Sequence, residues 1–353
     1  MTKERILITG ATGMVGSMFA ERAVAAGYAV RALVRSKPKA ERLAKLGVEL
    51  VEGDLGQPET IPAAVAGAEI VVHAAAHVGD WGPTEMYRAI NVYALEHLLA
   101  AIEREGRLRR FIQISSLGIY PARHHYGTDE TCPPDMAGLD GYTRTKAEAE
   151  VVLRRHMDEF QVPAVILRPG FIYGPGDRHV LPPLVEKIKT GKMKLIGDGR
   201  RVINNTYVGN LADAIFLAIE KAEVLGDTFN IRDERLVNRQ EFVGTVADYL
   251  GCPRPKKVPE WLARRAAPVI EGFARLRGAT QAPLLTRARM KFLTLNLDFS
   301  IAKAKEKLGY RPKVDFQEGM RAALDWLMGK GDGELQTANC KLQIDNCKLI
   351  IAN

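Results

Sequence analysis

A tyrosine and a lysine four residues apart are the side chains of this sequence best suited to acid–base chemistry. Tyr142 and Lys146 begin a predicted helix over residues 142–158, and their i, i+4 spacing places both on one face. A free phenol has a pKa of about 10 and is a poor base at neutral pH, but a neighbouring ammonium favours the phenolate and lowers that pKa. Tyr142 could then exchange a proton with a carbinol oxygen. A Tyr-x-x-x-Lys pair alone is more often two surface residues of a helix, so the surrounding elements decide its meaning.

Ser116 is the first of these supporting residues. It ends a predicted strand over residues 110–115, which comes before the helix of Tyr142 and Lys146. At this place its hydroxyl could hydrogen-bond the reacting oxygen and polarise it. We therefore predict Ser116, Tyr142 and Lys146 as one catalytic set.

Three glycines directly after the first predicted strand, residues 6–8, could hold a pyrophosphate. Gly10 allows a tight turn, Gly13 lets backbone N–H groups approach the phosphates, and Gly16 lets the following helix pack closely. The positive end of that helix, predicted over 17–26, would face the anion. The alternative is a tight turn without a ligand. The predicted phosphate-binding residues are Gly10, Thr12, Gly13, Met14, Val15 and Gly16.

Strand and helix patterns alternate through the first half of the chain. Further strands are predicted over residues 29–34, 48–51, 70–74, 110–115 and 164–168, with helical stretches between them. Such alternation predicts an α/β fold, a doubly wound parallel Rossmann sheet. The predicted nucleotide-binding domain takes residues 1–175 and 204–230, and a smaller, interleaved substrate domain takes 176–203 and 231–328. A seven-residue near repeat predicts a disordered tail over 329–353.

The end of the second predicted strand bears on the choice of cofactor. An NAD enzyme usually has an acid there to bind the ribose 2′-OH, whereas this chain has Val34 followed by Arg35. Since Arg35 could bind a 2′-phosphate, the pattern favours NADP over NAD. The alternative is a solvated surface charge.

Other positions suit the rest of a dinucleotide. Asp54, followed by Leu55, could accept a hydrogen bond from the adenine amino group, or could instead cap a helix or turn. Small side chains at Ala74, Ala75 and Ala76 would let the cofactor lie against backbone. We interpret His73 as a packed core residue.

In combination, these motifs resemble the extended short-chain dehydrogenase/reductase family over roughly residues 4–328. The resemblance implies that Tyr142 is the acid/base, that Lys146 orients the nicotinamide ribose, and that Ser116 binds the substrate oxygen. Asn91 would steady the active-site helix and a water relay. The backbone that would meet the carboxamide comes from Pro169, Gly170 and Ile172. The family also favours a homodimer.

The branch of the family is indicated by residues 78–83, which resemble 3β-hydroxysteroid and sterol dehydrogenases. Dihydroflavonol reductases and 2-alkyl-3-oxoalkanoate reductases are similar. Trp81 would face a hydrophobic substrate, or would instead cap the core. The predicted substrate-binding residues are Val78, Trp81, Ser116, Tyr173 and Asn204.

Two other functions remain open. Nucleotide-sugar epimerases and dehydratases typically carry an arginine four residues before a later aromatic, but Ile203 stands four before Tyr207. The absence of arginine at this position argues against a sugar-nucleotide substrate but does not exclude one. A non-catalytic NADP-binding regulatory module is the third interpretation, and the intact set of Ser116, Tyr142 and Lys146 argues against it.

The amino-acid composition limits the kinds of partner that we expect for this protein. The 353 residues are 46% hydrophobic and 26% charged, without an apolar run long enough to span a membrane, and we expect a cytoplasmic protein without a metal site. The net charge of +8 arises within residues 254–291, so general nucleic-acid binding is not expected. Within that segment, 261–277 predicts a basic amphipathic helix interrupted by Pro268. We favour packing of its apolar stripe inward, with a lid or a peripheral membrane contact as the alternative.

Overall fold

The computed structural model describes residues 4–329 except 278, 280, 281 and 284. The tail predicted over 329–353 lies outside the described residues, apart from its first residue. The strands are β1 (Arg5–Thr9), β2 (Ala29–Val34), β3 (Glu49–Glu52), β4 (Ile70–His73), β5 (Arg110–Ile114), β6 (His125–Thr128), β7 (Ala164–Pro169), β8 (Phe171–Tyr173), β9 (Lys194–Ile196), β10 (Asn205–Tyr207), β11 (Thr228–Ile231), β12 (Lys256–Val258) and β13 (Leu297–Phe299).

The helices surround these strands. They are α1 (Met14–Ala25), α2 (Glu41–Lys45), α3 (Ile61–Val65), α4 (Thr84–Arg88), α5 (Ala94–Glu105), α6 (Gly141–Phe160), α7 (Leu181–Lys189), α8 (Val208–Glu220), α9 (Arg239–Tyr249), α10 (Glu260–Leu276), α11 (Arg287–Thr294) and α12 (Phe316–Leu327). A π-helical turn at Ala89–Tyr93 joins α4 to α5. Among the described residues, no helix is long and apolar enough to cross a lipid bilayer.

Seven parallel strands form the central sheet in the order β11-β7-β5-β4-β1-β2-β3. The order reverses between β1 and β4, where a doubly wound sheet opens a crevice at the carboxyl ends of its strands. The predicted Rossmann fold is therefore confirmed.

Side chains of β1 alternate between the two faces of the sheet because successive residues of a strand point in opposite directions. Ile6 and Ile8 belong to the core that α1 and α8 cover, whereas Leu7 belongs to the core on the other face, under α3, α5 and α6. Both faces are buried, which explains why the strands are continuous apolar runs.

Three two-stranded parallel pairings lie outside the central sheet: β8 with β10, β9 with β12, and β6 with β13. The last of these joins the loop after Ser116 to the C-terminal half of the chain. A further apolar core, here called the C-terminal core, is built around Tyr173, Tyr207, Phe242 and Phe316.

Helix α10 differs from its prediction in two respects. It runs unbroken from Glu260 to Leu276 through Pro268, and its larger apolar side chains are exposed rather than packed inward. Its buried residues are Ala263, Ala267 and Glu271. Small alanines let the helix lie close to α11, which leaves the bulky residues on the outside.

Candidate active site

The glycine turn after β1 is held by close backbone packing. Gly10 has φ +72°, and a Cβ there would lie 2.6 Å from the backbone nitrogen of Ala75. A Cβ on Gly16 would lie 2.3 Å from the carbonyl oxygen of Gly10. Both glycines are therefore required by the protein itself, since a side chain at either position would displace backbone.

Gly13 is different, because only one atom of the protein lies close to the position that a side chain would take. A Cβ there would meet only the Gly10 carbonyl oxygen, at 3.3 Å, and its φ of −81° suits any residue. Gly13 is also the N-cap of α1, and no side chain of the described residues accepts a hydrogen bond from the N–H groups of the first turn. An uncapped helix end beside an unfilled glycine position fits the phosphates of a dinucleotide.

Tyr142 stands in the first turn of α6, which begins with a capping box. The Asp140 carboxylate accepts from the Thr143 N–H at 2.8 Å, and this cap fixes the start of the helix. Ser116 lies close enough to the Tyr142 phenol to affect its pKa, and the Ser116 hydroxyl oxygen accepts from the Gly118 N–H at 3.0 Å. Burial raises the pKa of Tyr142 to about 12, and the Ser116 hydroxyl opposes that rise. The lowering of the phenol pKa that was expected from the neighbouring ammonium is not found.

The position of Lys146 explains part of the difference between the expected pKa of Tyr142 and the raised one. It is buried, and its ammonium donates to the Ile114 carbonyl oxygen at 2.6 Å. Burial lowers the pKa of Lys146 to about 8, and the Glu150 carboxylate partly offsets this shift. The lysine is thus anchored to the end of β5, the strand that leads into Ser116.

Asn91 lies on the π-helical turn between α4 and α5 and is buried. Its amide donates to the Thr145 hydroxyl at 3.0 Å and to the His77 carbonyl oxygen at 3.1 Å. Its carbonyl oxygen accepts from the His77 N–H at 2.8 Å. Because Thr145 lies between Tyr142 and Lys146 in α6, Asn91 ties this helix to the loop after β4. Its role in a water relay stays a prediction.

A buried charge network behind the site was missed by sequence reasoning. The Glu150 carboxylate accepts from Arg168 Nε at 2.9 Å, from Arg168 Nη2 at 2.6 Å and from the Ser115 hydroxyl at 2.6 Å. Arg168 Nη1 also donates to the Tyr120 hydroxyl at 2.7 Å. The available signal was the spacing of Glu150, four residues after Lys146 on the same helix face. The network joins β5, α6 and β7, the three elements around the site.

Tyr173 does not contact substrate as predicted. Its side chain is fully buried, and its hydroxyl donates to the Asp233 carboxylate at 2.9 Å inside the C-terminal core. That carboxylate also accepts from Asn205 at 2.9 Å and from Asn210 at 2.8 Å. Tyr173 is therefore a structural residue, and the prediction is wrong.

The segment after β7 meets Asn204 closely. A Cβ on Gly170 would lie 1.9 Å from the Asn204 carbonyl oxygen, so only glycine fits there. The Asn204 side chain accepts from the Phe171 N–H at 3.3 Å, and the residue is nearly buried. Substrate binding by Asn204 and carboxamide binding by the backbone of Pro169, Gly170 and Ile172 stay predictions.

The residues predicted to bind the adenosine half of the cofactor follow the carboxyl ends of strands of the central sheet. Arg35 is exposed directly after β2, and Val34 before it is buried. The Asp54 carboxylate accepts from the Gly56 N–H at 2.8 Å, so it forms the turn that was its alternative role. Neighbouring Leu55 is buried. The remaining half-buried positions, which follow β4, are Ala74, Ala75 and Ala76.

His73 is the packed core residue that was expected. It is 1% exposed, and its Nδ1 lies 2.7 Å from the Thr9 hydroxyl oxygen. Burial lowers its pKa to about 3, with a further contribution from Lys146. A neutral imidazole is thus fixed beneath the site.

Trp81 lies against the C-terminal end of α10. Its indole N–H donates to the Ala279 carbonyl oxygen at 2.8 Å, and the Arg275 guanidinium lies 4.8 Å from its ring centre. Val78 is exposed. Contacts of Trp81 and Val78 with substrate stay predictions.

The family follows from comparison with known proteins. Residues 6–231 match the model of the NAD dependent epimerase/dehydratase family. The chain belongs to this family. The match spans the glycine turn, Ser116, Tyr142 and Lys146, and it confirms the resemblance to extended short-chain dehydrogenase/reductases.

Individual relatives agree. The chain is 32% identical to a 2-alkyl-3-oxoalkanoate reductase of Stenotrophomonas maltophilia, over 90% of this chain and 97% of that protein. It is also 32% identical to a 3 beta-hydroxysteroid dehydrogenase/Delta 5-->4-isomerase of Mycobacterium tuberculosis, over 91% and 90% respectively. The chain is accordingly an oxidoreductase of the extended short-chain type.

A solved structure of the same fold is UDP-glucuronic acid 4-epimerase from Bacillus cereus, in complex with UDP-glucuronic acid and NAD. It covers 92% of this chain and 99% of its own, with a TM-score of 0.74 and 21% identity. At that identity, the likeness shows the fold alone.

Proposed function

We propose that the protein is an NADP-preferring reductase that interconverts a ketone and a secondary alcohol on a hydrophobic substrate of 3-oxoacyl, steroid or flavonol type. The observation that carries the proposal is that Ser116 lies beside Tyr142, which shares helix α6 with the buried Lys146, in a fold whose glycine turn leaves the N-terminus of α1 uncapped. The reductase and dehydrogenase names of the two relatives support the reaction type.

In this mechanism the nicotinamide supplies or accepts hydride when bound. Ser116 holds the carbonyl oxygen of the substrate by a hydrogen bond, and Tyr142 donates its phenolic proton to that oxygen as negative charge develops there. Lys146 would hold the nicotinamide ribose and would place a positive charge near the phenolate that remains. Asn91, through Thr145, keeps the first turn of α6 in register with these groups.

The uncapped turn of α1, with the N–H groups of Met14, Val15 and Gly16, would hold the pyrophosphate. Arg35 would bind the 2′-phosphate, since it is exposed directly after β2, the strand that ends in an acid in NAD enzymes and in Val34 here. Arg35→Glu should shift the ratio of NADPH to NADH affinity toward NADH by about tenfold or more, because it replaces an attraction with a repulsion. Arg104→Glu, exposed on α5, is the control. An unchanged ratio in Arg35→Glu would refute this role.

The function is tested by following NADPH and NADH oxidation against 3-oxoacyl compounds, steroids, flavonols and UDP-sugars. Tyr142→Phe should lose turnover by about a hundredfold or more, the usual contribution of a general acid, and should keep cofactor binding. Tyr126→Phe, a highly exposed tyrosine, is the matched control. Full activity in Tyr142→Phe would show that another group supplies the proton.

Sugar-nucleotide epimerisation is disfavoured by one observation. Ile203, at the position where those enzymes carry their pyrophosphate-binding arginine, is 1% exposed and forms part of the C-terminal core. Nearby Arg201 is paired with Glu260 of α10 at 3.1 Å. Formation of an epimer from a UDP-sugar without net NADPH consumption would reverse this choice.

A further inference from the structure

The outer face of α10 carries an apolar stripe on the protein surface. The stripe consists of Leu262, Val269, Phe273 and Leu276, whose exposed fractions are 46%, 71%, 52% and 85%. At 100° per residue these four side chains fall within about 60° of one another around the helix. Trp261, 61% exposed, lies beside them. Scattered exposed apolar residues are ordinary, but five on one helix form a contiguous patch that indicates a binding surface.

Two unpaired arginines border the stripe. The Arg277 guanidinium lies 4.0 Å from the centre of the Phe273 ring, and that of Arg265 lies 5.7 Å from the Trp261 ring. Neither forms an ion pair with a carboxylate among the residues that the structure describes. The other two arginines of the helix, Arg264 and Arg275, are paired with its two acids, Glu260 and Glu271. The outer face is therefore apolar with net positive charge at its margins.

We propose that α10 lies in the surface of a membrane that contains anionic lipid, with the stripe inserted among the acyl chains. Bulky aliphatic and aromatic residues on one face with arginines at its margins are what an interfacial helix requires. Residues 254–291 hold ten Lys and Arg against two Asp and Glu, and this charge complements anionic headgroups. Asp248 and Asp80 pair with Arg254 and Arg289 of this segment, so the charge that remains beside the stripe is that of Arg265 and Arg277. A second copy would bring these like charges together, whereas an anionic membrane meets both the apolar stripe and its positive margins.

The inner side of the helix has a related feature. A cavity of about 240 Å³ lies beneath α10, and its apolar lining includes Ala122, Leu139, Ala267, Pro268, Met290 and Leu295. Leu139 is three residues before Tyr142. Under the proposed function, on which this consequence alone rests, the bilayer would lie close to a cavity suited to the hydrophobic part of the substrate.

The test is co-sedimentation of the full chain with vesicles, without substrate or cofactor, so that it is independent of the proposed function. Vesicles of phosphatidylcholine alone are compared with vesicles that contain phosphatidylglycerol. We expect binding to the anionic vesicles that weakens with added salt, because surface charge attraction is screened. The triple variant V269Q/F273Q/L276Q should weaken it at least about tenfold. The matched control is V151Q/F160Q/L225Q, which changes the same residue types at exposed positions elsewhere.

Charge is tested separately with R265E/R277E, against R104E/R107E on α5 and its following loop. The first pair should lose binding to anionic vesicles, and the second should keep it. Absence of binding to anionic vesicles, or equal losses in the two triple variants, would overturn the proposal. So would a dimer in lipid-free sedimentation velocity that V269Q/F273Q/L276Q alone converts to monomer, since the stripe would then be the surface between two copies.

Discussion

Replacement of Gly13 and of Gly16 by alanine should separate the packing role of the glycine turn from its binding role. The Gly16→Ala methyl would lie 2.3 Å from the Gly10 carbonyl oxygen and 2.7 Å from the Ala11 Cα. Backbone must move to admit it, and such overpacking lowers the free energy of unfolding by about 1–3 kcal/mol. The Gly13→Ala methyl is 3.3 Å from a single atom. Loss of a glycine N-cap lowers the free energy of unfolding by at most about 1 kcal/mol.

For cofactor binding, we expect the larger effect from Gly13→Ala, the substitution with the smaller expected effect on stability. A methyl at position 13 would occupy the space where a pyrophosphate meets the N-terminus of α1, so Gly13→Ala should weaken NADPH binding at least about tenfold, or 1.4 kcal/mol. Urea unfolding followed by circular dichroism gives the stability, and NADPH fluorescence titration gives the affinity. Gly244→Ala, in α9 with ordinary contact distances, is the control. Wild-type NADPH affinity in Gly13→Ala would refute the assignment of this turn to the phosphates.

Three further predictions concern the groups behind the site. Glu150→Gln leaves the buried Arg168 guanidinium without its counter-charge and should lower the free energy of unfolding by about 3–5 kcal/mol in urea, whereas the double variant E150M/R168M should recover much of that loss. Lys291→Met removes the 2.8 Å hydrogen bonds to two carbonyls of the loop after Ser116, so kcat should fall while NADPH affinity stays unchanged. NADPH binding should weaken as pH rises through about 8, where Lys146 loses its charge, and the same inflection should persist in Tyr142→Phe but not in Lys146→Met.

Local patterns were sufficient for the sheet and its glycine turn. Aliphatic runs at 6–8 and 70–74 could be predicted as strands because both faces of the sheet are covered, and Gly10 and Gly16 obey steric limits set by their immediate neighbours. Asn91 could be placed by motif alone, yet its exact partner depends on a π-helical turn that residue patterns do not reveal.

Residues whose role depends on distant pairing were predicted poorly. Tyr173 lies at a position of the family motif, but its environment is set by Asp233, sixty residues later in the chain. The buried Asp233 carboxylate requires hydrogen-bond donors, and the Tyr173 hydroxyl is one of them. For α10, the apolar stripe suggested an inward face, whereas the buried Ala263 and Ala267 let the opposite face approach α11. A prediction from hydrophobicity alone buries the helix face with the largest apolar side chains. Two helices in close contact instead bury small residues, because these let the backbones approach.

The protonation state of Tyr142 bears on the direction of the proposed reaction. Because burial raises its pKa to about 12, Tyr142 is protonated throughout the neutral range, and formation of its phenolate is costly. Reduction of a ketone uses the protonated phenol and meets no such cost before the hydride moves. Oxidation of an alcohol needs the phenolate first, and so depends on a positive charge beside it: the Lys146 ammonium, which loses its proton above about pH 8, and an oxidised nicotinamide. Under the proposed function, reduction is thus the direction that needs no prior change in the charge of Tyr142.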